Sequence, residues 1–219
     1  MPPVTRPLWI YAAPVEGEGV LDSLATVADL CCIGTGKSAA AMNLTLALAQ
    51  SRPTWVLAFG LCGAYPAGHG PGEQARSVGD LCVLEQDVLG DEGVQDRSGF
   101  RDLAAMGLGD LGPFVADAAR SRSIASHLGG LPLVRGATVS TCSGTDEASA
   151  SLGHRTGAHV ETMEGAAIGL VCRHFGVPWT QLRCVSNRTG DRSASGWDLE
   201  GSVARLHEAM RRLAAEVPS

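Results

Sequence analysis

The chain has 219 residues, of which 45% are hydrophobic and 18% charged, and a formal net charge of -6. This composition describes a compact globular protein and excludes a disordered or fibrous chain. The negative charge argues against nucleic acid as a partner, because binding to phosphate backbones needs a clustered positive surface.

The seven cysteines predict a reduced compartment. They include no C-x-x-C pair, and most lie inside apolar runs such as Leu81-Cys82-Val83, where cysteine behaves as a small buried hydrophobe. The sequence shows no pattern of a secretory signal, and no apolar run approaches the roughly 18 to 20 residues that span a bilayer. We therefore expect a cytoplasmic protein with no membrane partner.

The first part of the chain predicts two strands and a helix. Apolar runs at Leu8–Ala13 and Val27–Ile33 are typical of buried strands, and a helix follows from Ser38 to Gln50. Before that helix, Gly34-Thr35-Gly36-Lys37-Ser38 resembles the end of a P-loop. The full pattern needs glycine at the position of Cys31, so we interpret this segment as a strand-to-helix turn.

The central part predicts two strands and a long connection. The strands are Trp55–Phe59 and Val78–Leu84, and the next segment, residues 87–112, is rich in Gly, Asp and Arg. A loop of that length in a compact domain is typically a lid, a binding loop or a subunit contact.

Polar clusters follow the apolar runs of the last part. After a strand at Leu133–Val139, the segment Val160–Ala167 indicates a strand, a polar turn and a helix start with Glu164 in its first turn. The helix dipole favours an acid there even without a ligand. The strand Trp179–Val185 ends in hydrogen-bonding side chains from Ser186 to Arg192, which suit either an active site or a solvated loop.

These elements predict an α/β fold in a single domain over residues 1–219. The strands are continuously apolar and alternate with helices, of which the last two are Gly165–Phe175 and about Leu199 to Ala215. This pattern is typical of a three-layer sandwich with a mostly parallel, mixed central sheet flanked by helices. Such sheets bind ligands at the carboxyl ends of their strands.

The chain resembles the superfamily of purine nucleoside phosphorylases and methylthioadenosine/S-adenosylhomocysteine nucleosidases over nearly its whole length. The motifs that carry the resemblance are, in order, Glu16-Gly17-Glu18, Gly34–Ala40, Phe59–Ala64, Val78-Gly79-Asp80, Met163–Ala167 and Val185-Ser186-Asn187. Further segments are similar to futalosine hydrolases, which are nucleosidases of the alternative menaquinone pathway. These are Gly90–Asp96, Gly99-Phe100, Ser186–Arg188, Gly190–Arg192 and Trp197–Leu199.

The resemblance implies the roles of several residues. Met163 and Glu164 are expected to hold the ribose of a purine nucleoside, and an acid in the first loop is expected to activate the attacking water. By alignment of the Glu-x-Glu pattern that acid is Glu18, with Glu16 as the second choice. Three further substrate-binding residues are expected, Gly63, Glu161 and Asp191.

Asn187 marks a departure from the superfamily pattern. Nucleosidases that act on 6-amino purines normally have Asp at this position, where it protonates N7 of the departing base. A carboxamide cannot supply a proton, but it can donate a hydrogen bond to N7 beside a 6-oxo group. Asn187 therefore favours hypoxanthine as the leaving group, and Asp191 is the candidate if a protein acid is required.

The predicted reaction is hydrolysis of the N-glycosidic bond through an oxocarbenium-like sugar. No cofactor or metal is expected, because the Cys and His residues lack ligand spacing. The expected partner is a small-molecule nucleoside, and the family implies a homo-oligomer. The alternatives are a methylthioadenosine/S-adenosylhomocysteine-type nucleosidase, a phosphorylase on the same fold, and a module that binds a nucleoside without turnover.

Overall fold

The computed structural model describes residues 6–66, 75–191 and 196–216, and these contain ten strands and seven helices. The strands are β1 Leu8–Tyr11, β2 Asp29–Cys32, β3 Val56–Ala64, β4 Leu81–Leu89, β5 Gly93–Asp96, β6 Gly99–Asp102, β7 Phe114–Val115, β8 Leu133–Thr138, β9 Val160–Thr162 and β10 Trp179–Arg188. The helices are α1 Pro14–Gly17, α2 Leu21–Leu24, α3 Lys37–Gln50, α4 Ala118–His127, α5 Asp146–Thr156, α6 Gly165–Phe175 and α7 Leu199–Glu216.

Eight of these strands form one mixed sheet. The strands β2, β1, β3 and β10 are parallel neighbours in that order, and β4, β8 and β9 form a second parallel group. The groups meet in two antiparallel pairs, β4 with β10 and β9 with β3. The predicted α/β class with a mostly parallel, mixed sheet is confirmed.

The sheet also closes on itself, which the sequence did not predict. Because β3 pairs with both β9 and β10, the strands β3, β10, β4, β8 and β9 form a closed circuit. All five strands contribute to one cluster of buried side chains. Its members are Cys62, Ala64, Cys82, Leu84, Val134, Val160 and Val185.

Helices cover both faces of the remaining sheet. On β1, the side chain of Trp9 packs with residues of α2, α4 and α7, whereas that of Ile10 packs with residues of α3 and α6. Successive strand residues therefore enter opposite cores, which explains why these strands are apolar without alternation. None of the described helices is both long and apolar enough to cross a bilayer.

Residues 87–112 are more ordered than the loop that the sequence predicted. They include the end of β4 and the hairpin of β5 and β6, in which Gly99 begins β6 at a φ of +124°. Lys37 on α3 ties this segment to the body of the protein, with its Nζ 2.7 Å from Asp91 Oδ1 and 3.1 Å from Glu92 Oε1. The prediction of an irregular loop is corrected, because the short hairpin strands are too polar to show an apolar pattern.

Candidate active site

A cavity of about 310 Å³ opens at the carboxyl ends of several strands. Its wall includes Ala12 and Ala13 after β1, Gly63 near the end of β3 and Asn187 near the end of β10. Ser143, which follows β8, also lines it. This is the edge at which sheets with parallel strands place ligands.

Glu16 is a buried carboxylate in the cavity wall, with 6% of its surface exposed. Its Oε2 accepts hydrogen bonds from the backbone N–H groups of Ala12 and Ala13, both at 3.0 Å. Its Oε1 accepts from the N–H of Leu61 at 2.8 Å. On its other side, His207 Nε2 of α7 lies 3.0 Å from the Glu16 carbonyl oxygen. These contacts fix Glu16 between β1, β3 and α7.

Glu18, the first sequence-based choice for the base, lies elsewhere. It is exposed at the C-terminal end of α1 and is not among the residues that line the cavity. The helix ends at Gly17 and Glu18 has a non-helical ψ of 129°, so the chain turns away after Glu16 and only the Glu16 side chain lies in the cavity wall. This placement corrects the predicted order, and Glu16 replaces Glu18 as the candidate base.

Glu164 lies in the same cavity wall with 4% of its surface exposed. It occupies the N-cap position of α6, and its Oε1 accepts a hydrogen bond from the N–H of Gly36 at 2.8 Å. Gly36 has a φ of +90° in the turn between β2 and α3. The glycine turn that resembles a P-loop therefore binds a protein carboxylate.

Burial and neighbouring groups shift the pKa of Glu164, some upward and others downward. Burial raises this pKa most, while the guanidinium of Arg183 and the hydrogen bond from Gly36 lower it. The carboxylates of Glu16 and Asp87 raise it further. Glu16 and Glu164 are thus electrostatic neighbours that share one cavity.

Asn187 has a fixed side-chain orientation. Its Nδ2 donates to the carbonyl oxygen of Arg188 at 2.9 Å, and its Oδ1 accepts from the hydroxyl of Ser186 at 3.0 Å. A carbonyl oxygen can only accept, so the amide nitrogen must face Arg188 and keeps one N–H for another acceptor. Met163 lines the cavity together with Asn187.

Glu161 and Gly63 also line the cavity. The Glu161 carboxylate accepts from the Tyr65 hydroxyl at 2.9 Å, the Ser143 hydroxyl at 2.6 Å and the Ser143 N–H at 3.0 Å. Gly63 pairs with Glu161 on one side and with Asn187 on the other. A Cβ at this glycine would lie 2.8 Å from a methyl group of Thr189. Glu161 therefore anchors the segment after β8 to the cavity.

Asp191 lies outside the cavity wall. It is exposed, and its N–H donates to Asp146 Oδ1 at 3.0 Å. Its placement gives no support to a role as the acid that protonates the base. Arg192, part of a segment quoted for the resemblance, lies outside the described residues.

The cavity also contains residues that sequence reasoning did not assign to a site. They include Val15, Thr35, Cys142, Ser143, Trp197 and Leu199. Trp197 keeps 52% of its surface exposed at the cavity. Among the described residues, no cluster of three or more His, Cys, Asp or Glu side chains could hold a metal ion.

Comparison with known proteins gives consistent matches. The model of the phosphorylase superfamily matches residues 20–217. A futalosine hydrolase of Thermus thermophilus is 34% identical over 186 residues, which are 84% of this chain and 79% of that protein. A futalosine hydrolase of Acidothermus cellulolyticus is 31% identical over 197 residues, which are 86% of this chain and 75% of that protein.

Two solved structures have the same fold. A methylthioadenosine/S-adenosylhomocysteine nucleosidase of Colwellia psychrerythraea, in complex with adenine, has a TM-score of 0.77 at 18% identity and covers 97% of this chain and 96% of its own. A futalosine hydrolase mutant of Helicobacter pylori has a TM-score of 0.72 at 19% identity, with the same coverage. At these identities the two structures establish the fold alone.

Proposed function

The chain belongs to the phosphorylase superfamily and, within it, to the futalosine hydrolases, and from that premise we propose that it hydrolyses the N-glycosidic bond of a 6-oxopurine nucleoside. The proposed substrate is futalosine, and the products are hypoxanthine and dehypoxanthine futalosine. The enzyme would then serve menaquinone biosynthesis. One observation carries this proposal: two buried carboxylates, Glu16 and Glu164, line a single cavity together with Met163 and Asn187.

Glu16 is the proposed general base. Its three backbone hydrogen bonds hold the carboxylate in one orientation toward the cavity, and a carboxylate with about four acceptor sites and three donors retains one site, on Oε1, for a water proton. General base catalysis of this kind typically contributes about 10²- to 10⁴-fold to the rate. The carboxylate charge also opposes the positive charge that develops on the sugar.

Glu164 is the proposed ribose ligand. The Gly36 N–H occupies one side of its Oε1, which leaves the remaining acceptor sites for the 2′ and 3′ hydroxyls of the sugar. Met163 would cover the apolar face of the ribose. Glu161, with three donors from Tyr65 and Ser143, would act on the substrate mainly by holding the segment that contains Ser143.

Asn187 is the proposed contact to the leaving base. Its free N–H would donate to N7 of the purine, which stabilises negative charge on the departing hypoxanthine. This contact supplies no proton, so the reaction would depend on a leaving group that departs as a hydrogen-bonded anion or takes its proton from water.

A phosphorylase on the same fold is less compatible with this cavity. Phosphate would need cationic donors, and among the described lining residues Arg188 is the one basic side chain, exposed at the end of β10. Glu16, Glu161 and Glu164 would repel the anion.

The test is to incubate the purified protein with futalosine, inosine and methylthioadenosine, each with and without phosphate. We expect release of hypoxanthine from futalosine at a rate that phosphate does not change. Formation of ribose 1-phosphate, or dependence on phosphate, would support the phosphorylase instead. Tight binding of futalosine without base release would support a binding module.

We also propose a cytoplasmic homo-oligomer. Cys31, Cys32, Cys62, Cys82, Cys172 and Cys184 form no disulfide, as expected in a reducing compartment, and the oligomer is an expectation from the family. Light scattering on the purified protein would measure its mass in solution.

A further inference from the structure

Asp87 is a fully buried acid that the proposed mechanism does not use. It lies on β4 and is not among the residues that line the cavity. Its Oδ1 accepts from the Thr138 hydroxyl at 2.9 Å, and its Oδ2 accepts from Gln181 Nε2 at 3.1 Å and from the Thr162 hydroxyl at 3.2 Å. Side chains from three strands, β8, β9 and β10, thus donate to one carboxylate.

Two of these donors connect Asp87 to the start of α6. The Thr138 hydroxyl oxygen accepts from the N–H of Ala166 at 2.7 Å, and the Thr162 hydroxyl oxygen accepts from the N–H of Gly165 at 3.3 Å. A side chain on Gly165 would overlap the Asp87 carboxylate. The first turn of α6 therefore lies directly on a buried negative charge, which is the favourable sign for a helix N-terminus.

The third donor connects Asp87 to Arg183. Gln181 Oε1 accepts from Arg183 Nη2 at 2.9 Å and from Nε at 3.2 Å. A carboxylate only accepts and a guanidinium only donates, so the amide of Gln181 has a single allowed orientation between them. Arg183 has 2% of its surface exposed, which makes this pairing energetically important.

Arg183 in turn lies beside the candidate catalytic carboxylates. A Cβ at Gly60 would lie 2.6 Å from Arg183 Nη1 and in contact with Glu16 Oε1. Both side chains therefore pack against Gly60 and lie close to each other. The charge of Arg183 also acts on Glu164. An unrestrained guanidinium at this place would pair directly with Glu16 or Glu164 and reduce the affinity of either carboxylate for its reaction partner.

We propose that Asp87 is a positioning residue for the reaction: it fixes Glu164 through the first turn of α6 and restrains Arg183 through Gln181. This proposal rests on the proposed function. Asp87 touches neither the sugar nor the base, and its effect on turnover passes through the side chains that do.

We call the hydrogen-bonded path from Asp87 through Gln181 to Arg183 the relay. Moving the negative charge from position 87 to position 181 tests it. Asp87→Asn removes the charge at nearly constant volume, and Gln181→Glu places two carboxylates side by side. We expect each single variant to lower kcat for futalosine by about 10-fold or more, a coupling typical of groups in one hydrogen-bonded network. In the double variant, the new carboxamide at position 87 can donate to the new carboxylate at position 181, which pairs with Arg183. We therefore expect its kcat to recover to within about 5-fold of the wild-type value.

A matched control separates positioning from general loss of stability. Ser121→Ala removes another buried hydrogen bond, the one that joins the Ser121 and Thr180 hydroxyls at 2.7 Å, and Ser121 lies on α4 outside the relay. We expect this variant to lose stability and keep its kcat. Wild-type kcat in Asp87→Asn, or a double variant no faster than its slower parent, would overturn the proposal.

Amide hydrogen exchange supplies a measurement that does not need turnover. In Asp87→Asn, the N–H groups of Gly165 and Ala166 should exchange about 10-fold faster or more, and the double variant should slow them again. Unchanged exchange would overturn the claim that Asp87 fixes α6. If the wild-type protein released no base from any nucleoside, the proposed function would fail, and the exchange result would still decide whether Asp87 positions Glu164.

Discussion

At the scale of single residues, the pair of Glu16 and Glu164 has the strongest consequences for activity. Both carboxylates are buried in one cavity, and the charge of Glu16 raises the pKa of Glu164. Proximity of this kind is costly for the folded protein, because neither burial nor a like charge favours an ionised acid. Such an arrangement is typical of sites in which the charges are used.

Replacement of each carboxylate by its amide separates their roles. Glu16→Gln should lower kcat by about 100-fold or more because the base is lost, and Glu164→Gln should lower kcat by a similar factor and also raise KM. The matched control is Glu18→Gln, two residues along the chain and exposed. Steady-state kinetics with futalosine measure all three, and a large loss in Glu18→Gln would restore Glu18 as the candidate base.

The nature of the base contact is tested at Asn187. Asn187→Asp supplies a group that can carry a proton to N7, so the ratio of kcat/KM for 6-amino over 6-oxo nucleosides should rise. The comparison uses adenosine and inosine derivatives with the same 5′ group. An unchanged ratio would show that Asn187 does not determine the preference between 6-oxo and 6-amino purines.

The positions of some of these residues could be predicted from the sequence, and those of others could not. Glu164 and Met163 follow an apolar strand and Asn187 lies near the end of another, so their position at one edge of the sheet was predictable. The choice between Glu16 and Glu18 depended on α1, a single helical turn that begins at Pro14 without a periodic pattern. Asp87 lies inside a strand, and no local signal relates it to residues about 50 to 95 positions away along the chain.

At the scale of elements, the glycine turn before α3 is a support for the candidate site. Gly36 has a φ of +90° and a ψ of 158°, a conformation that costs a side-chain-bearing residue roughly 1–3 kcal/mol. Gly36→Ala should therefore lower the free energy of unfolding by about that amount, although its Cβ would meet no atom within 4 Å.

Urea denaturation measures the effect of this substitution. Gly109→Ala is the matched control, because that glycine has no positive φ and its Cβ would make only an ordinary contact with Leu103. Equal stability losses in the two variants would contradict the strain argument. Gly36→Ala should also raise KM, because relief of the positive φ would shift the backbone N–H that orients Glu164.

The acid beneath α6 should make stability depend on pH. Burial raises the pKa of Asp87 from its ordinary 3.8 to about 6, against the opposing hydrogen bonds of Gln181 and Thr138. Below about pH 4 both the folded and the unfolded chain hold the proton, and between about pH 4 and 6 only the folded chain does. The contribution of Asp87 to the free energy of unfolding therefore declines as pH rises through that window and stays low above it.

Asp87→Asn lacks this titration. The difference in unfolding free energy between the variant and the wild type should move in favour of the variant by about 3 kcal/mol from about pH 3 to about pH 7. Other titrating groups are common to both proteins and cancel in the difference. Urea denaturation at several pH values measures it, and a difference that stays constant with pH would contradict an elevated pKa.

The N-terminal ends of the helices show which elements can be predicted from the sequence. The helix α4 begins after Asp117, whose side chain accepts from the N–H of Arg120, and α5 begins after Thr145, whose side chain accepts from the N–H of Ala148. These capping residues are recognisable signals. Both helices were missed because their apolar faces are weak, whereas the strongly apolar α6 was predicted with its observed bounds.

At the scale of the whole molecule, the α/β class was predictable and the closed circuit was not. Apolar runs alternate with helices along the chain, which determines the class from local pattern. Closure depends on the antiparallel pairing of Gly63 with Glu161 and of Ala64 with Val160. That pairing joins residues about 100 positions apart, and no local periodicity specifies such a partner.

The closed circuit also has a consequence for the order in which the protein acquires activity as it folds. Glu16 and Glu164 come together only after β9 has joined β3, about 100 residues away along the chain, and contacts between such distant segments form slowly. Helices such as α3 and α6 depend on local contacts and can form earlier. After dilution from denaturant, the far-ultraviolet circular dichroism signal should therefore recover before the hydrolytic activity does. The interval between the two recoveries would measure how long the circuit takes to close.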